Sequence, residues 1–308
     1  MNLTKKNIHA GKYSSDFEKT ILNLEKNLVT VRIREKDTTV WKKGDEYETL
    51  IMNRLGWIFL PELMTDACDS IISFTDEIRN EGFKYAVVLG MGGSSMCPEV
   101  CRETFGVQQG FLNLHVLDST DPDTVLKIEN SIEIEKTIFI VSSKSGGTIE
   151  VDSFFRYFFE KVKSIKPENP GSNFIAITDP STELETRASE NKFRKIFINP
   201  SDIGGRYSAL SYFGLVPAAL IGIDIKKLIV NAKKVMYNCI SEEAENNFGL
   251  ITGALAGALA KKKVNKITFI LPEKIKSFGY WVEQLIAEST GKEGMGIVPV
   301  EGEKLSKA

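Results

Sequence analysis

The sequence predicts an α/β protein of three layers, α-β-α, in which helices cover both faces of a five-stranded parallel sheet. The first observation is an alternation, from residue 85 onward, between short apolar segments and longer segments with helical spacing. The five predicted strands are Ala86–Leu89, Leu112–Leu117, Ile138–Ser142, Phe174–Thr178 and Lys195–Ile198. The second observation is that glycine-rich polar loops follow strands one and three. In a flavodoxin-like strand order these two strands are neighbours, so their loops would form one ligand site.

The composition describes a globular chain with an ample core and no strong charge bias. Of its 308 residues 42% are hydrophobic and 26% are charged, and the formal net charge is −2. This length suits two domains better than one. A net charge so close to zero argues against nucleic acid and against a membrane surface as partners.

The cysteines predict a reducing compartment. They lie in apolar or helical contexts without the spacing of a secreted disulfide framework: Cys68, Cys97, Cys101 and Cys239. Cys97 and Cys101 have the spacing of half a metal site, but no second Cys/His pair accompanies them. These cysteine contexts predict reduced thiols. Together with the absence of a signal peptide and of a membrane-spanning apolar run, they predict a cytoplasmic location. We also expect no metal and no cofactor.

Helical segments flank the predicted sheet on both sides. Apolar periodicity predicts helices over residues 14–29, Glu46–Met52, Glu62–Asn80, Asp224–Tyr237 and Glu242–Lys262. A further strand, Asn265–Leu271, and a helix from about Phe278 follow them. The predicted domains are an N-terminal helical extension (1–80), the sheet domain (81–223), a helical connector (224–263) and an incomplete second domain (264–308).

The loop after strand three has the composition of an anion site. It combines the hydroxyls of Ser143, Ser145 and Thr148 with the charge of Lys144 and two glycines, directly before an aromatic-rich helix. Backbone N–H groups at a helix N-terminus point at such an anion. The alternative is an ordinary strand-to-helix turn in which Thr148 caps the helix.

The loop after strand one also allows a dinucleotide-binding interpretation. Gly90 and Gly92 resemble the start of the dinucleotide fingerprint, and Asp118 ends strand two where a ribose-binding acid would lie. Ser95, however, stands where the third glycine of that fingerprint belongs. The interpretation as an NAD site is therefore the weaker one.

Two later segments carry charged side chains that suit catalysis. Arg206 follows Gly204 and Gly205 just after strand five, where its backbone can direct it into the crevice beyond the sheet. Gln284 and Glu288 are four residues apart, so they share one face near the end of the last helix. Apolar neighbours on that face predict partial burial of Glu288, which would raise its pKa towards the value a general base needs.

Four segments of the chain together resemble the glucose-6-phosphate isomerase family, whose members consist of two sugar-isomerase (SIS) domains. The segments are Gly90–Ser94, Ser143–Glu150, Asp202–Ser208 and Gln284–Lys292. Gly-Gly-Arg-Tyr-Ser and Glu-Ser-Thr-Gly-Lys are the specific matches, and residues 31–57 look most like the isomerase half of fused transaldolase–isomerase proteins. The resemblance implies an SIS domain, an N-terminal helical extension and the start of a second SIS domain.

The resemblance also implies an activity and a role for each matched residue. The activity is the interconversion of glucose 6-phosphate and fructose 6-phosphate through a cis-enediol, a step of glycolysis and gluconeogenesis. Glu288 would be the base and Arg206 would stabilise the enediolate. The implied substrate-binding residues are Gly93, Ser94, Ser143, Lys144, Ser145, Thr148 and Gln284.

This chain departs from the family pattern at two places. The family's usual loop reads Thr-Phe-Thr-Thr where this chain has Ser145–Thr148, and a further Thr is replaced by Val151, so one hydroxyl ligand is lost. The family's ring-opening histidine and C-terminal lysine have no counterpart, and neither His9 nor His115 matches that histidine. We therefore expect the chain as given to be catalytically incomplete.

Two functions follow from these observations. The first is the isomerase, acting as a homodimer or together with the absent C-terminal half. The second is a non-catalytic sugar-phosphate-binding SIS module, because the phosphate loop would function alone. In either case the last strand and helix cannot bury their apolar faces as a lone unit, so an exposed hydrophobic patch is expected.

Overall fold

The computed structural model describes residues 8–303, and it confirms the predicted α/β fold class. The strands are β1 (Tyr85–Gly90), β2 (Asn113–Leu117), β3 (Thr137–Ser142), β4 (Phe174–Thr178), β5 (Lys195–Ile198), β6 (Lys266–Thr268) and β7 (Val298–Val300). The first five form one parallel sheet in the flavodoxin-like order β2-β1-β3-β4-β5. Strands β1 and β3 are therefore neighbours, as predicted.

Helices precede, connect and follow these strands. In chain order they are α1 (Ser14–Lys26), α2 (Val29–Arg34), α3 (Asp45–Met52), α4 (Leu60–Leu63), α5 (Ala67–Asn80), α6 (Met96–Phe105), α7 (Pro122–Glu129), α8 (Ile149–Ile165), α9 (Glu183–Glu190), α10 (Tyr212–Leu220), α11 (Ile225–Cys239), α12 (Phe248–Lys261) and α13 (Phe278–Thr290). In residues 8–303 no helix is both long and apolar enough to cross a membrane.

The described chain divides into two compact units. The first, here called the sheet unit, is Glu62–Ile229 and contains β1 to β5. The second, the terminal unit, combines residues 8–61 with residues 230–303. In the terminal unit β6 and β7 pair in parallel, and α13 lies between them in the chain. The predicted domain boundaries (1–80, 81–223, 224–263 and 264–308) remain predictions.

The centre of the sheet unit is apolar on both faces of the sheet. Every residue of β3 and of β4 is buried, as expected for parallel strands covered by helices on both sides. Helix α8 places an aromatic face on this sheet, where the ring of Phe139 lies 4.8 Å from that of Phe158 and 5.1 Å from that of Phe174. This packing holds α8 on the sheet, and the short loop 143–148 places the first residue of α8 near the carboxyl end of β3.

Three predicted elements differ from the structure. The segment predicted as one helix, Glu62–Asn80, is interrupted between α4 and α5 by turn hydrogen bonds from Thr65 N to Glu62 O and from Cys68 N to Thr65 O. The helix predicted from Glu242 begins at Phe248, because the buried Asn247 accepts a hydrogen bond from Leu250 N and caps it. The predicted strand Asn265–Leu271 shortens to β6, and β7 was not predicted.

Candidate functional site

The loop after β3 is closed by its own hydroxyl groups. Ser143 is buried, and its N–H continues the sheet by donating to the carbonyl oxygen of Ile177 (3.1 Å). Its Oγ accepts a hydrogen bond from Gly146 N (3.1 Å) and shares one with Oγ1 of Thr148 (3.0 Å). Ser145 is exposed, and its Oγ accepts from Gly147 N (3.4 Å). Ser143, Ser145 and Thr148 therefore lie in one short turn at the carboxyl edge of the sheet.

Helix α8 begins without a side-chain cap. Thr148 occupies the N-cap position, but it makes no capping hydrogen bond and its hydroxyl is directed to Ser143 instead. Helices α7 and α9 follow the same sheet and do have caps, from Asp121 and Thr182. The structure therefore lacks the capping hydrogen bond that the alternative, an ordinary strand-to-helix turn, expects of Thr148. The first-turn N–H groups of α8 remain available to an anion.

One glycine of the loop is required by the surrounding backbone. Gly146 has φ +70°, and a Cβ there would lie 2.7 Å from Cβ of Thr182 and 2.9 Å from the backbone nitrogen of Leu184. Left-handed backbone of this kind strains residues other than glycine. Gly147 has no such φ and open space around its Cα. Gly146 therefore fixes the path of the loop against the segment that follows β4.

The ammonium of Lys144 is held by groups from the segments that follow β4 and β5. It forms an ion pair with Asp179 and donates to the carbonyl oxygen of Ser201 (3.0 Å). The backbone reinforces the pair, since Asp179 N donates to Lys144 O (3.2 Å). No role was predicted for Asp179, and its position directly after an apolar strand was the available signal in the sequence.

The loop after β1 packs directly on the loop after β5. A Cβ on Gly93 would lie 2.3 Å from the carbonyl oxygen of Gly205, so the two backbones are in contact and only glycine fits. The buried Ser208 joins them, with its Oγ donating to Gly205 O (2.7 Å) and lying 3.4 Å from Gly93 O. Ser94 is tied to β3, because its carbonyl oxygen accepts from Oγ of Ser142 (3.2 Å).

Arg206 is placed by this contact. It lies in the 3-10 helix Gly205–Leu210, is half-buried, and its Nε is shielded from solvent. Because Gly205 is held against Gly93, the position of the Arg206 backbone depends on the loop after β1. The structure thus brings Gly93, Ser94, Ser143, Ser145, Thr148 and Arg206 to the same edge of one sheet.

Gln284 and Glu288 lie on α13 of the terminal unit. They share one helix face as predicted, and Nε2 of Gln284 donates to Oε1 of Glu288 (3.0 Å). Glu288 is exposed, so the expected partial burial was wrong for this chain. The physical reason is that its apolar neighbours on α13 do not cover the carboxylate.

Several alternatives carry no support from the geometry. Ser95, at the place of the third fingerprint glycine, is fully buried and its Oγ donates to Gly92 O (3.0 Å), which disfavours a dinucleotide fingerprint. His115 lies opposite Val87 in the middle of β2, away from the carboxyl edge, and burial followed by the Arg102 charge lowers its pKa. Within residues 8–303 no three His, Cys, Asp or Glu side chains group as metal ligands, and the four cysteines are free.

An open parallel sheet with polar loops at its carboxyl edge, two of them at the switch point between β1 and β3, defines an α/β protein of flavodoxin-like strand order. The chain belongs to the phosphoglucose isomerase family, whose sequence model matches residues 64–302. Curated relatives support this membership. The glucose-6-phosphate isomerase of Carboxydothermus hydrogenoformans is 32% identical over 248 residues, which are 77% of this chain and 53% of that protein. That of Methanocaldococcus jannaschii is 29% identical over 77% of this chain and 60% of its own length.

Solved structures agree with the fold. A hypothetical protein from Thermus thermophilus superposes with a TM-score of 0.79 at 25% identity, over 94% of this chain and 67% of that one. A glucose-6-phosphate isomerase from Chlamydia trachomatis shares the fold, with a TM-score of 0.67 at 20% identity over 77% of this chain and 48% of that one. The chain spans little more than half the length of the curated relatives it matches.

Proposed function

We propose that this chain is the sugar-phosphate-binding part of a glucose-6-phosphate isomerase, which interconverts glucose 6-phosphate and fructose 6-phosphate. The observation that carries the proposal is the uncapped start of α8 beside a hydroxyl-rich loop, in a chain of the phosphoglucose isomerase family. Ser143, Ser145 and Thr148 would hold the phosphate together with first-turn N–H groups.

The remaining roles concern the sugar and the proton. Gly93 and Ser94 would line the sugar, because their loop lies between the phosphate loop and Arg206. Glu288 would move a proton between C2 and C1, a contribution worth about 10²–10⁴-fold for general base catalysis. Arg206 would stabilise the negative charge that develops on the cis-enediol, and Gln284 would orient the ligand and Glu288.

The exposure of Glu288 favours a second candidate function for the chain by itself. An exposed carboxylate on α13 is poorly tuned as a base, so a chain that binds sugar phosphate without isomerising it is the alternative. In both cases the partner is a small sugar phosphate in the cytoplasm. The assembly is a homodimer or an association with the additional residues that the longer relatives contain.

An isomerase assay separates the two functions. Fructose 6-phosphate is supplied to this chain and to a version extended to the length of its relatives, and glucose 6-phosphate formation is followed through a coupling dehydrogenase. We expect turnover by the extended version and none by this chain, with both binding the substrate. Binding without turnover by the extended version would establish the non-catalytic alternative, and absence of binding by both would refute the proposal.

A further inference from the structure

The pairing of Lys144 with Asp179 bears on how the loop meets a phosphate. The Lys144 side chain is 24% exposed and that of Asp179 is 12% exposed, so the pair is largely withdrawn from water. A lysine ammonium has three N–H donors. One of them goes to Asp179 and one to the carbonyl oxygen of Ser201. Lys144 therefore spans the loops that follow β3, β4 and β5.

The pair has an electrostatic consequence for the loop. The carboxylate of Asp179 neutralises the ammonium, and the contact with Ser201 holds it towards the β5 side of the site. Near Ser143, Ser145 and Thr148 the donors are the hydroxyl groups of the loop and the uncapped first-turn N–H groups of α8. A phosphate bound there would be held by hydrogen bonds, without a full positive charge in contact.

We propose that Asp179 is a positioning residue that withholds the Lys144 charge from the phosphate. This inference rests on the proposed sugar-phosphate site and assigns a residue that sets its affinity. A phosphate contact is made equally in the ground state and the transition state. Stronger binding of the phosphate would therefore slow release of either hexose phosphate without lowering the barrier to proton transfer.

The inference predicts a gain of affinity on removing the carboxylate charge. Asp179→Asn keeps the shape and a hydrogen-bonding side chain, but leaves the Lys144 charge uncompensated. Inorganic phosphate should then bind about three- to tenfold more tightly than to the unmodified chain, measured by calorimetry at low salt. Asp179→Glu retains the charge, so its affinity should stay at the unmodified value. Unchanged or weaker binding by a folded Asp179→Asn variant would overturn the proposal.

A double variant shows whether Asp179 acts through Lys144. In Lys144→Gln/Asp179→Asn no ammonium remains to be released, so the gain over Lys144→Gln alone should vanish. A gain that persists would mean that Asp179 repels phosphate directly, which contradicts the positioning role.

The unmodified chain offers a test that needs no substitution. Titration with inorganic phosphate should shift the loop amide signals while the side-chain CεH₂ signal of Lys144 stays in place, because the ammonium keeps its partners. Movement of that side-chain signal together with the amides would also overturn the proposal.

Failure of this inference is distinguishable from failure of the proposed function. The proposed function is tested by conversion of fructose 6-phosphate in the extended protein. The inference is tested by inorganic phosphate binding to charge variants of this chain. Turnover with no affinity gain in Asp179→Asn refutes the inference alone, and an affinity gain without turnover refutes the isomerase alone.

Discussion

Gly146 and Gly147 are adjacent in the loop after β3, but only at Gly146 do the backbone conformation and the neighbouring atoms exclude a side chain. Gly146→Ala must place a methyl group 2.7 Å from Cβ of Thr182 in left-handed backbone. We expect it to lower the free energy of unfolding by about 1–3 kcal/mol and to weaken phosphate binding, because the loop shifts. Chemical denaturation and a phosphate titration measure the two effects.

Gly147→Ala is the matched control for that change. Its Cβ would meet nothing within 4 Å, so the free energy of unfolding should change by no more than about 0.5 kcal/mol. If both variants lost equal stability, the contact between the loop and Thr182 would not be what fixes its path.

Glu288 and Arg206 are tested by conservative replacement in the extended protein. Glu288→Gln keeps the shape but removes the proposed base, so kcat should fall by about 10²–10⁴-fold with little change in KM. Arg206→Lys keeps the charge but loses the planar fork, so it should lower kcat less than Arg206→Ala does. Glu283→Gln, an exposed residue on the same helix, is the control and should keep kcat. An intact kcat in Glu288→Gln would place the base elsewhere.

For single residues, the sequence predicts which residue types lie at the site, but it does not predict which charged groups pair with one another. Ser143, Ser145 and Thr148 are predictable because hydroxyls and glycines between a strand and a helix are a local pattern. The pairing of Lys144 with Asp179 is not local, because the two residues are 35 positions apart in the chain. They come together because β3 and β4 are neighbours in the sheet. The exposure of Glu288 likewise depends on packing that helical periodicity does not contain.

The start of α8 gives a prediction at the level of a secondary-structure element. Thr148→Ala removes a hydroxyl that caps nothing, so stability should fall only by the bond to Ser143, about 0.5–1.5 kcal/mol. Phosphate affinity should fall about three- to tenfold, because a ligand hydroxyl is lost. Thermal unfolding and calorimetry measure the two effects.

Asp121→Ala at the start of α7 serves as the control, because Asp121 caps its helix and Thr148 does not. Asp121 accepts from Thr124 N and caps α7, so the change should cost about 0.5–2 kcal/mol of stability. Phosphate affinity should stay unchanged. If Thr148→Ala behaved like Asp121→Ala, with lost stability and unchanged affinity, the loop would be an ordinary capped turn after all.

The elements that the sequence predicts best are those with a long, regular apolar pattern. Strands β3, β4 and β5 follow their predicted bounds closely, because parallel strands are continuous apolar runs. Helix α8 was predicted after the loop because it carries aromatic residues at helical spacing. Strands β6 and β7 have three residues each, too few for a periodicity to show. The break before α5 depends on turn hydrogen bonds rather than on a Gly or Pro signal.

At the scale of the whole molecule, the terminal unit exposes large apolar side chains. Among the described residues from Val264 onward these are Val264 (40%), Ile270 (60%), Tyr280 (48%), Met295 (65%) and Val298 (47%). A two-stranded sheet is marginal as an isolated structure. We expect this chain to bind a hydrophobic fluorescent dye more strongly, per molecule, than the extended version does. Equal dye binding by both versions would show that these side chains are not covered by the additional residues.

Binding of a sugar phosphate at the carboxyl edge of the sheet unit is tested by a single titration. Isotope-labelled chain is titrated with glucose 6-phosphate while the backbone amide signals of residues 92–95 and 143–148 are followed by NMR, with glucose as the control. We expect saturable shifts of both loops with glucose 6-phosphate and none with glucose. Unmoved loop signals at millimolar glucose 6-phosphate, or shifts confined to other parts of the chain, would contradict it.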